Sequence, residues 1–358
     1  MMRHFKIISS LLVVFSMTAA VVAITLEKQV GDFLLQVSDD GGAFNIKHSP
    51  ASSGSTNFFV PHDDFATTYF SVMLDDAIYQ LRRGSVSSIR LLEEQNGAGL
   101  RLGIRNKLNV NMKFTFVPQF SGDGQGAVKV EIVMENISAE TREVALKGVF
   151  DTLLGENSGV HFVTARFPYV STESSFLDME DLQWVRSSNG NESVQFLFDG
   201  NGITAPSMVA LANKDLLTGE IWNPAIKPGR TFNTVFSYNN SAVCALWEPM
   251  VLTPSTSGTI TFYITFASKA KIPPTAQFLG SKGSLVNGDD YDKITYTDAS
   301  GVVYTVGDLT DTMLNRRYIE DLLNRIRKLE EDPEQIDRNE LLRLNAELDA
   351  ILEKIRRL

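Results

Sequence analysis

The sequence is poor in the residue types that most often carry out chemistry. Of its 358 residues only one is cysteine, Cys244, and only four are histidine. A single cysteine excludes an internal disulfide, which a chain long enough to bury a large core does not require. Because it lies in the apolar run 243–247, we interpret it as a small buried hydrophobic residue and not as a reactive thiol.

Sequence motifs of the common enzyme classes are also missing. The chain has no Gly-x-Ser-x-Gly elbow, phosphate-binding loop, dinucleotide fingerprint or His-Glu-x-x-His pair. Beyond the N-terminal segment the histidines are His48, His62 and His161, and each stands alone, so a histidine metal site would need distant strands. These absences weaken the case for most enzyme classes, but they do not exclude an enzyme.

Basic residues are in the minority. The chain has 33 Lys and Arg against 43 Asp and Glu, a formal net charge of −10 at pH 7. An acidic chain lacks the basic surface that gains counterion-release free energy on nucleic acid or on anionic lipid. We therefore expect neither as a partner.

Long apolar runs are confined to the N-terminus. Residues 1–23 combine Arg3 and Lys6, an apolar core over 7–15 and small residues that end at Ala23, a pattern typical of a cleaved signal peptide. The core is shorter than the roughly 20 residues of a spanning helix, and no other stretch could span a bilayer. No cysteine follows the cleavage site, so an N-terminal lipid anchor is not expected. The expected location is periplasmic or extracellular, and the mature chain should begin at or near Ile24, with cleavage after Ala20 as a second candidate.

From residue 24 to 270 the dominant hydrophobic period is two, which predicts strands with one buried face. The run 100–116 has the alternation of one long strand, 128–134 and 144–150 that of a hairpin, and 260–266 that of a last strong strand. Without helical periods between them, the sheets should be antiparallel and packed face to face. The predicted fold is mainly β, with a large antiparallel β-sandwich body at 24–270.

The pattern changes after residue 270. Pro273 and Pro274 favour an extended spacer, so 271–308 is interpreted as a linker with a small β-hairpin. Residues 309–358 form two amphipathic segments divided by Pro333, which predicts a C-terminal α-helical hairpin of coiled-coil type. We predict that the apolar stripe of the second segment mediates assembly; its residues are Leu341, Leu344, Leu348, Ile351, Ile355 and Leu358.

Two places in the body are candidate ligand sites. The turn after a predicted strand gathers Asp151, Glu156 and Asn157, whose oxygen atoms are of the type that calcium prefers. A strand-terminating turn with side chains bonded to the backbone is the alternative. Trp184 and Trp222 are candidates for a sugar-stacking platform, although aromatic residues of a sandwich more often belong to its core. No catalytic residue is predicted, and calcium is the single candidate cofactor.

The segments 31–37, 42–46 and 150–157 resemble an uncharacterised family of bacterial exported β-sandwich proteins. The resemblance covers the body and not the tail, and it implies no activity or catalytic residue. At the level of fold alone, long-stranded sandwiches are also similar to the mutarotase-like sugar-binding folds.

Three functions are consistent with these patterns. The leading interpretation is a non-enzymatic periplasmic or cell-surface protein whose sandwich binds a protein or glycan and whose tail serves assembly, with an envelope protein or with itself. The alternative is a carbohydrate-active enzyme or sugar-binding module of mutarotase-like sandwich type, with acid–base work done by carboxylate pairs such as Glu173 with Asp178. A second alternative is a structural component of an envelope assembly.

Overall fold

The computed structural model describes residues 24–39, 44–51, 54–60, 67–117, 124–156, 160–218, 222–233 and 240–276, the backbone of 295–297 and 303–305, and Arg327. The described chain is mainly β. Its strands, in chain order, are β1 (Thr25–Val30), β2 (Phe33–Ser38), β3 (Phe44–His48), β4 (Thr56–Asn57), β5 (Tyr69–Leu74), β6 (Ala77–Gln80), β7 (Ser88–Glu94), β8 (Gly97–Ile104), β9 (Leu108–Phe116), β10 (Gln125–Asn136), β11 (Arg142–Asp151), β12 (Val163–Thr164), β13 (Ser174–Phe176), β14 (Trp184–Ser188), β15 (Ser193–Leu197), β16 (Met208–Asn213), β17 (Ser241–Leu246), β18 (Met250–Leu252), β19 (Ser257–Ala267), β20 (Thr295–Thr297) and β21 (Val303–Thr305). Two short helices are α1 (Met179–Leu182) and α2 (Lys214–Thr218).

Three antiparallel sheets form the body. The eight-stranded sheet has the order β12-β14-β15-β19-β10-β9-β8-β7, and the seven-stranded sheet the order β13-β16-β17-β11-β5-β6, with β18 paired to β11. A four-stranded sheet, β1-β2-β3-β4, comes from the N-terminal residues, and β20 pairs with β21 in a separate two-stranded sheet. No helix in the described part of the chain is long and apolar enough to cross a membrane.

A phenylalanine-rich core lies between the two large sheets. The Phe150 ring of β11 lies 4.7 Å from the Phe196 ring of β15 and 5.8 Å from the Phe262 ring of β19, centroid to centroid. From the four-stranded sheet, Phe44 reaches the Phe114 ring at 4.7 Å. Packing of one sheet on the other confirms the predicted mainly-β, sandwich-like fold. The predicted helical hairpin and its assembly stripe, Leu341 to Leu358, lie outside the described residues.

The run 100–116 is not one strand. It forms the hairpin of β8 and β9, and Arg105 and Asn106 at its tip have φ angles of 47° and 52°. Two consecutive left-handed residues are the geometry of a two-residue hairpin turn. The apolar residues follow the same two-residue period before and after the turn. The hydrophobic pattern of the sequence therefore does not reveal the turn.

The predicted hairpin of 128–134 with 144–150 is also wrong. β10 pairs with β9 and β19 in one sheet, whereas β11 pairs with β5, β17 and β18 in the other. At the corner between them Asn136 is fully buried. Its amide Nδ2 donates to the carbonyl oxygens of Glu140 and Leu252, both at 2.8 Å. Alternation identifies the buried face of a strand but not its neighbour, and both strands face the same core.

Residues after the predicted boundary at 270 contact the body. Gln195 Nε2 on β15 donates to the carbonyl oxygen of Pro274 at 3.1 Å, and Gln125 Nε2 donates to that of Ile272 at 2.5 Å. Ala276 packs with Ala127, Leu197 and Tyr263. The two prolines therefore lie along the outer face of the eight-stranded sheet.

Candidate functional site

Asp151 is the last residue of β11 and pairs with Ala242 of β17. Its neighbour Val149 belongs to the apolar cluster on the outer face of the seven-stranded sheet, so strand alternation places the Asp151 side chain on that face too. The carboxyl is 1% exposed, and Oδ1 has no hydrogen-bond partner among the described residues. The Thr67 hydroxyl lies beside this carboxyl, and its interaction opposes the effect of burial.

Burial disfavours the charged forms of two neighbouring carboxyls. It raises the pKa of Asp151 to about 6, with the Thr67 hydroxyl and Lys214 opposing and Asp215 adding to the shift. It raises the pKa of Glu156 to about 7, and the Asp151 charge adds to that increase. Glu156 Oε1 accepts one backbone bond, from Ser241 N at 3.2 Å. The structure therefore brings together two of the three predicted calcium ligands; Asn157 lies outside the described residues.

The loop that positions Glu156 is tightly packed. A Cβ on Gly155 would lie 2.2 Å from the carbonyl oxygen of His161, so only glycine fits. His161 Nδ1 is 2.6 Å from Ser241 Oγ, and the ring lies edge-on to Phe232 at 4.7 Å. Burial lowers the pKa of His161. His161 thus belongs to the packing of the loop.

The two tryptophans singled out by sequence do not share a surface. Trp184 begins β14 and packs with Leu197 and Tyr263 on the outer face of the eight-stranded sheet. The Arg186 guanidinium lies 4.8 Å from the centre of its ring. Trp222 packs on the outer face of the seven-stranded sheet. The whole sandwich separates them, so they cannot form one stacking platform.

The carboxylates proposed for acid–base work have structural partners. Glu173 is 2% exposed, accepts from Lys227 N at 3.0 Å and forms a two-bond ion pair with Arg230. Asp178 Oδ1 accepts from the first backbone amides of α1, Glu180 N at 3.0 Å and Asp181 N at 3.2 Å. Asp178 therefore caps the N-terminus of α1. Glu173 is buried, and its hydrogen bonds link two loops.

Sequence reasoning missed a cluster that we call the aromatic edge. Among the described residues, the exposed aromatic side chains are Phe167 and Tyr169, 43% and 75% exposed, and Leu177, which follows Phe176 in the chain, is 75% exposed. The aromatic edge comprises Arg166, Phe167, Tyr169, Phe176, Leu177 and Asp181. Its sequence signal is the Phe167-Pro168-Tyr169 triplet, which interrupts the strand period with aromatic residues around a proline.

Edge strands of both large sheets hold the aromatic edge in place. A turn follows β12, in which Thr164 N donates to Phe167 O and Phe167 N donates to Thr164 Oγ1, each at 2.9 Å. Phe176, the last residue of β13, lies 5.9 Å from the Phe167 ring. Arg166 lies over the Phe167 ring at 5.6 Å and pairs with Asp181 of α1. The surface therefore joins apolar rings to an ion pair whose side chains are 60% and 57% exposed.

Comparison with known proteins gives a fold likeness. No protein-family model and no curated protein matches the chain. A galactose mutarotase related enzyme from Lactobacillus acidophilus matches with a TM-score of 0.42 and 8% identity over 70% of this chain and 100% of its own. An aldose epimerase homologue from C. elegans matches with 0.44 and 10% over 69% and 99%. A galactose mutarotase-like protein from Lactobacillus casei matches with 0.43 and 6% over 68% and 99%.

These matches correct the leading interpretation from sequence. They agree better with the carbohydrate-related alternative than with a non-enzymatic partner-binding protein that has an assembly tail. At these identities and TM-scores, the likeness assigns no activity, substrate or residue to this chain. The function proposed below rests on the chain's own residues.

Proposed function

We propose that this chain recognises carbohydrate, as a carbohydrate-active enzyme or sugar-binding module of mutarotase-like sandwich type, through the aromatic edge. One observation supports the proposal. Both exposed aromatic residues of the described chain, Phe167 and Tyr169, lie in one loop beside the exposed Arg166–Asp181 pair. Single exposed apolar residues need no explanation, but a group of them at one place is typical of a binding surface.

The chemistry of the aromatic edge suits a sugar ring. A pyranose has apolar C–H faces and a rim of hydroxyls, so it packs its face on an aromatic ring while polar groups bind the rim. Arg166 supplies fixed N–H donors, and the Asp181 carboxylate supplies acceptors. Because each side chain is more than half exposed, both remain available to hydroxyl groups.

The direct test is glycan binding by the full chain, screened on an array of mono- and polysaccharides. For the glycan that binds, we expect Tyr169→Ala and Phe167→Ala each to weaken affinity about tenfold, the loss of one ring contact worth about 1.4 kcal/mol. Val251→Ala is the matched control, since Val251 is 69% exposed on β18 and lies outside the aromatic edge. Unchanged binding in both aromatic variants would refute the site.

A second measurement separates enzyme from module. Polarimetry of freshly dissolved aldoses with the wild type and with Asp181→Asn reports any acceleration of anomer exchange. Acceleration that is lost in Asp181→Asn identifies an enzyme, and binding without acceleration identifies a module. Absence of binding to every glycan together with absence of turnover would overturn the proposal itself.

We also propose that the chain is exported and that residues 1–23 are its cleaved signal peptide, the basis being the sequence pattern given above. Ile24 N donates to Asp39 Oδ1 at 2.9 Å. If cleavage follows Ala23, this nitrogen becomes an ammonium group beside a carboxylate, a stronger pair than the neutral bond. N-terminal sequencing of protein from the native host should begin at or near Ile24; a start at Met1 or Met2 would disprove export with cleavage.

A further inference from the structure

Ile24 is held at both of its backbone polar atoms. The ladder between β1 and β2 begins with Thr25 opposite Ser38, and it extends one residue further, because Asp39 N donates to Ile24 O at 3.1 Å. Ile24 N is bonded differently. It donates to a side-chain oxygen, Asp39 Oδ1, at 2.9 Å. The position of this nitrogen therefore depends on one carboxyl group.

Asp39 binds a second donor from another part of the body. Its Oδ2 accepts from Arg83 NH2 at 2.7 Å, so each oxygen of the carboxylate has its own partner. The Asp39 side chain is 12% exposed and that of Arg83 is 37% exposed. Arg83 lies between β6 of the seven-stranded sheet and β7 of the eight-stranded sheet. Asp39 thus links the start of β1 to the connection between the two large sheets.

The strand that begins here has few other contacts to hold it. β1 is at the end of the four-stranded sheet, and its residues alternate between exposed and half-buried. Leu26 and Val30 pack against the main core but are only partly buried. Terminal strands of this kind separate readily unless something ties them down. The contact between Ile24 and Asp39 is such a tie.

We propose that cleavage after Ala23 locks the N-terminal sheet onto the body, with the new Ile24 ammonium and the Arg83 guanidinium on the two oxygens of Asp39. The inference rests on the proposed export with cleavage. Before cleavage Ile24 N is a neutral peptide nitrogen, and afterwards it carries a positive charge at hydrogen-bonding distance from a carboxylate. Because Asp39 is largely buried, salt screens this attraction less than it screens an exposed pair.

The same contact distinguishes the two cleavage sites that the sequence allows. Cleavage after Ala20 would leave Val21, Val22 and Ala23 in front of Ile24. Three residues of extended chain span up to about 10 Å, and Ile24 N would remain a neutral amide. Cleavage after Ala23 turns the nitrogen that contacts Asp39 into the cation. The lock therefore requires a mature chain that begins at Ile24.

The test compares the two possible mature chains, one beginning at Ile24 and one at Val21, each prepared by cleavage of a fusion protein in vitro. We expect Tm of the Ile24 chain to be higher by about 2 °C or more. Carbamylation with cyanate at neutral pH should remove this difference, because it neutralises the terminal nitrogen and leaves an N–H for Asp39. Cyanate reacts with an α-amine ahead of lysine amines, which are more fully protonated at neutral pH.

Two variants locate the effect. Asp39→Asn should abolish the Tm difference between the two chains. Glu27→Gln is the matched control, an exposed carboxylate on β1, and it should preserve the difference. If Asp39→Asn does not fold, carbamylation of the wild type still decides. The lock is overturned by equal Tm values of the two chains, by a carbamylated Ile24 chain of unchanged Tm, or by a difference that survives in Asp39→Asn or disappears in Glu27→Gln.

Sequencing of the native protein tests cleavage separately. A native start at Ile24 together with equal Tm values would leave export with cleavage standing and would disprove the lock. A native start at Val21 would disprove the lock as well, since the ammonium would then lie away from Asp39.

Discussion

The outer face of the seven-stranded sheet around β17 differs in kind from the outer face of the eight-stranded sheet around β9. On the seven-stranded sheet every residue of β17 is buried, because α2, Trp222 and Ile226 cover the outward side chains. On the eight-stranded sheet β9 alternates strictly between buried and half-buried residues, and its outward side chains are Asn109, Asn111, Lys113 and Thr115. A strand with one covered face alternates, and a strand with two covered faces reads as a continuous apolar run. The burial pattern of a strand therefore shows whether other parts of the protein cover its outer face.

The same contrast explains where the candidate sites lie. The covered face isolates Asp151 from water, so burial raises the pKa of its carboxyl to about 6. On the open face charged side chains keep contact with solvent and pair with each other, as Lys129 does with Glu131 at 2.6 Å. The proposed sugar-contacting surface lies at an exposed edge and not on the covered face.

The largest expected difference between the faces is thiol reactivity. Burial raises the pKa of Cys244 on the covered face from 9.0 to about 12, which lowers its thiolate fraction at neutral pH roughly 1000-fold. In the folded protein Cys244 should not react with an aromatic disulfide reagent, whereas Thr259→Cys on the open face should add one fast thiol. Rapid reaction of the folded wild type would show that the face is not covered.

Next in size is the cost of removing a covering side chain. Leu217 of α2 is fully buried against the outer face of the seven-stranded sheet, so Leu217→Ala should lower the free energy of unfolding by about 2–5 kcal/mol. Val133→Ala on the open face of β10 should cost less than about 1 kcal/mol, since Val133 is only half-buried. Urea titration measures both, and equal losses would contradict the comparison.

The smallest expected effect concerns Gly97, a position on the open face where the backbone packs as tightly as in a protein core. A Cβ on Gly97 of β8 would lie 1.9 Å from the carbonyl oxygen of Phe114 on β9. Gly97→Ala should therefore cost about 1–3 kcal/mol, as overpacking does. Gly54 has nothing within 4 Å of its Cβ position, and Gly54→Ala should leave stability unchanged. Thermal unfolding of the two variants measures both effects. An unchanged stability of Gly97→Ala would mean that β8 and β9 can move apart at little cost in free energy.

The sequence predicted the mainly-β fold because alternation reports directly which side chains are buried. It did not predict pairing, since β10 and β11 present the same pattern and yet join different sheets. Nor did it predict the turn at Arg105 and Asn106, because neither residue is glycine and the alternation stays in phase around them.

The sequence singled out Asp151 and Glu156 because they are polar residues at the end of an apolar strand and just after it, and the structure shows only that burial raises the pKa of both carboxyls. It favoured Trp184 and Trp222 by residue type, which carries no information on the sheet face that each occupies. The aromatic edge was missed for the opposite reason. Phe167 and Phe176 come close only when edge strands of two sheets meet, and that contact is set by topology.

The position of β19 in its sheet has a consequence for the order of folding. β19 is the last strand of the body, yet it lies between β15 and β10, and pairs Gln125 with Ala267 across a long stretch of sequence. A chain still lacking β19 leaves the edges of β10 and β15 unpaired, and such edges invite aggregation. Closing so distant a pairing is also slow. The eight-stranded sheet therefore completes only after nearly the whole body has been synthesised.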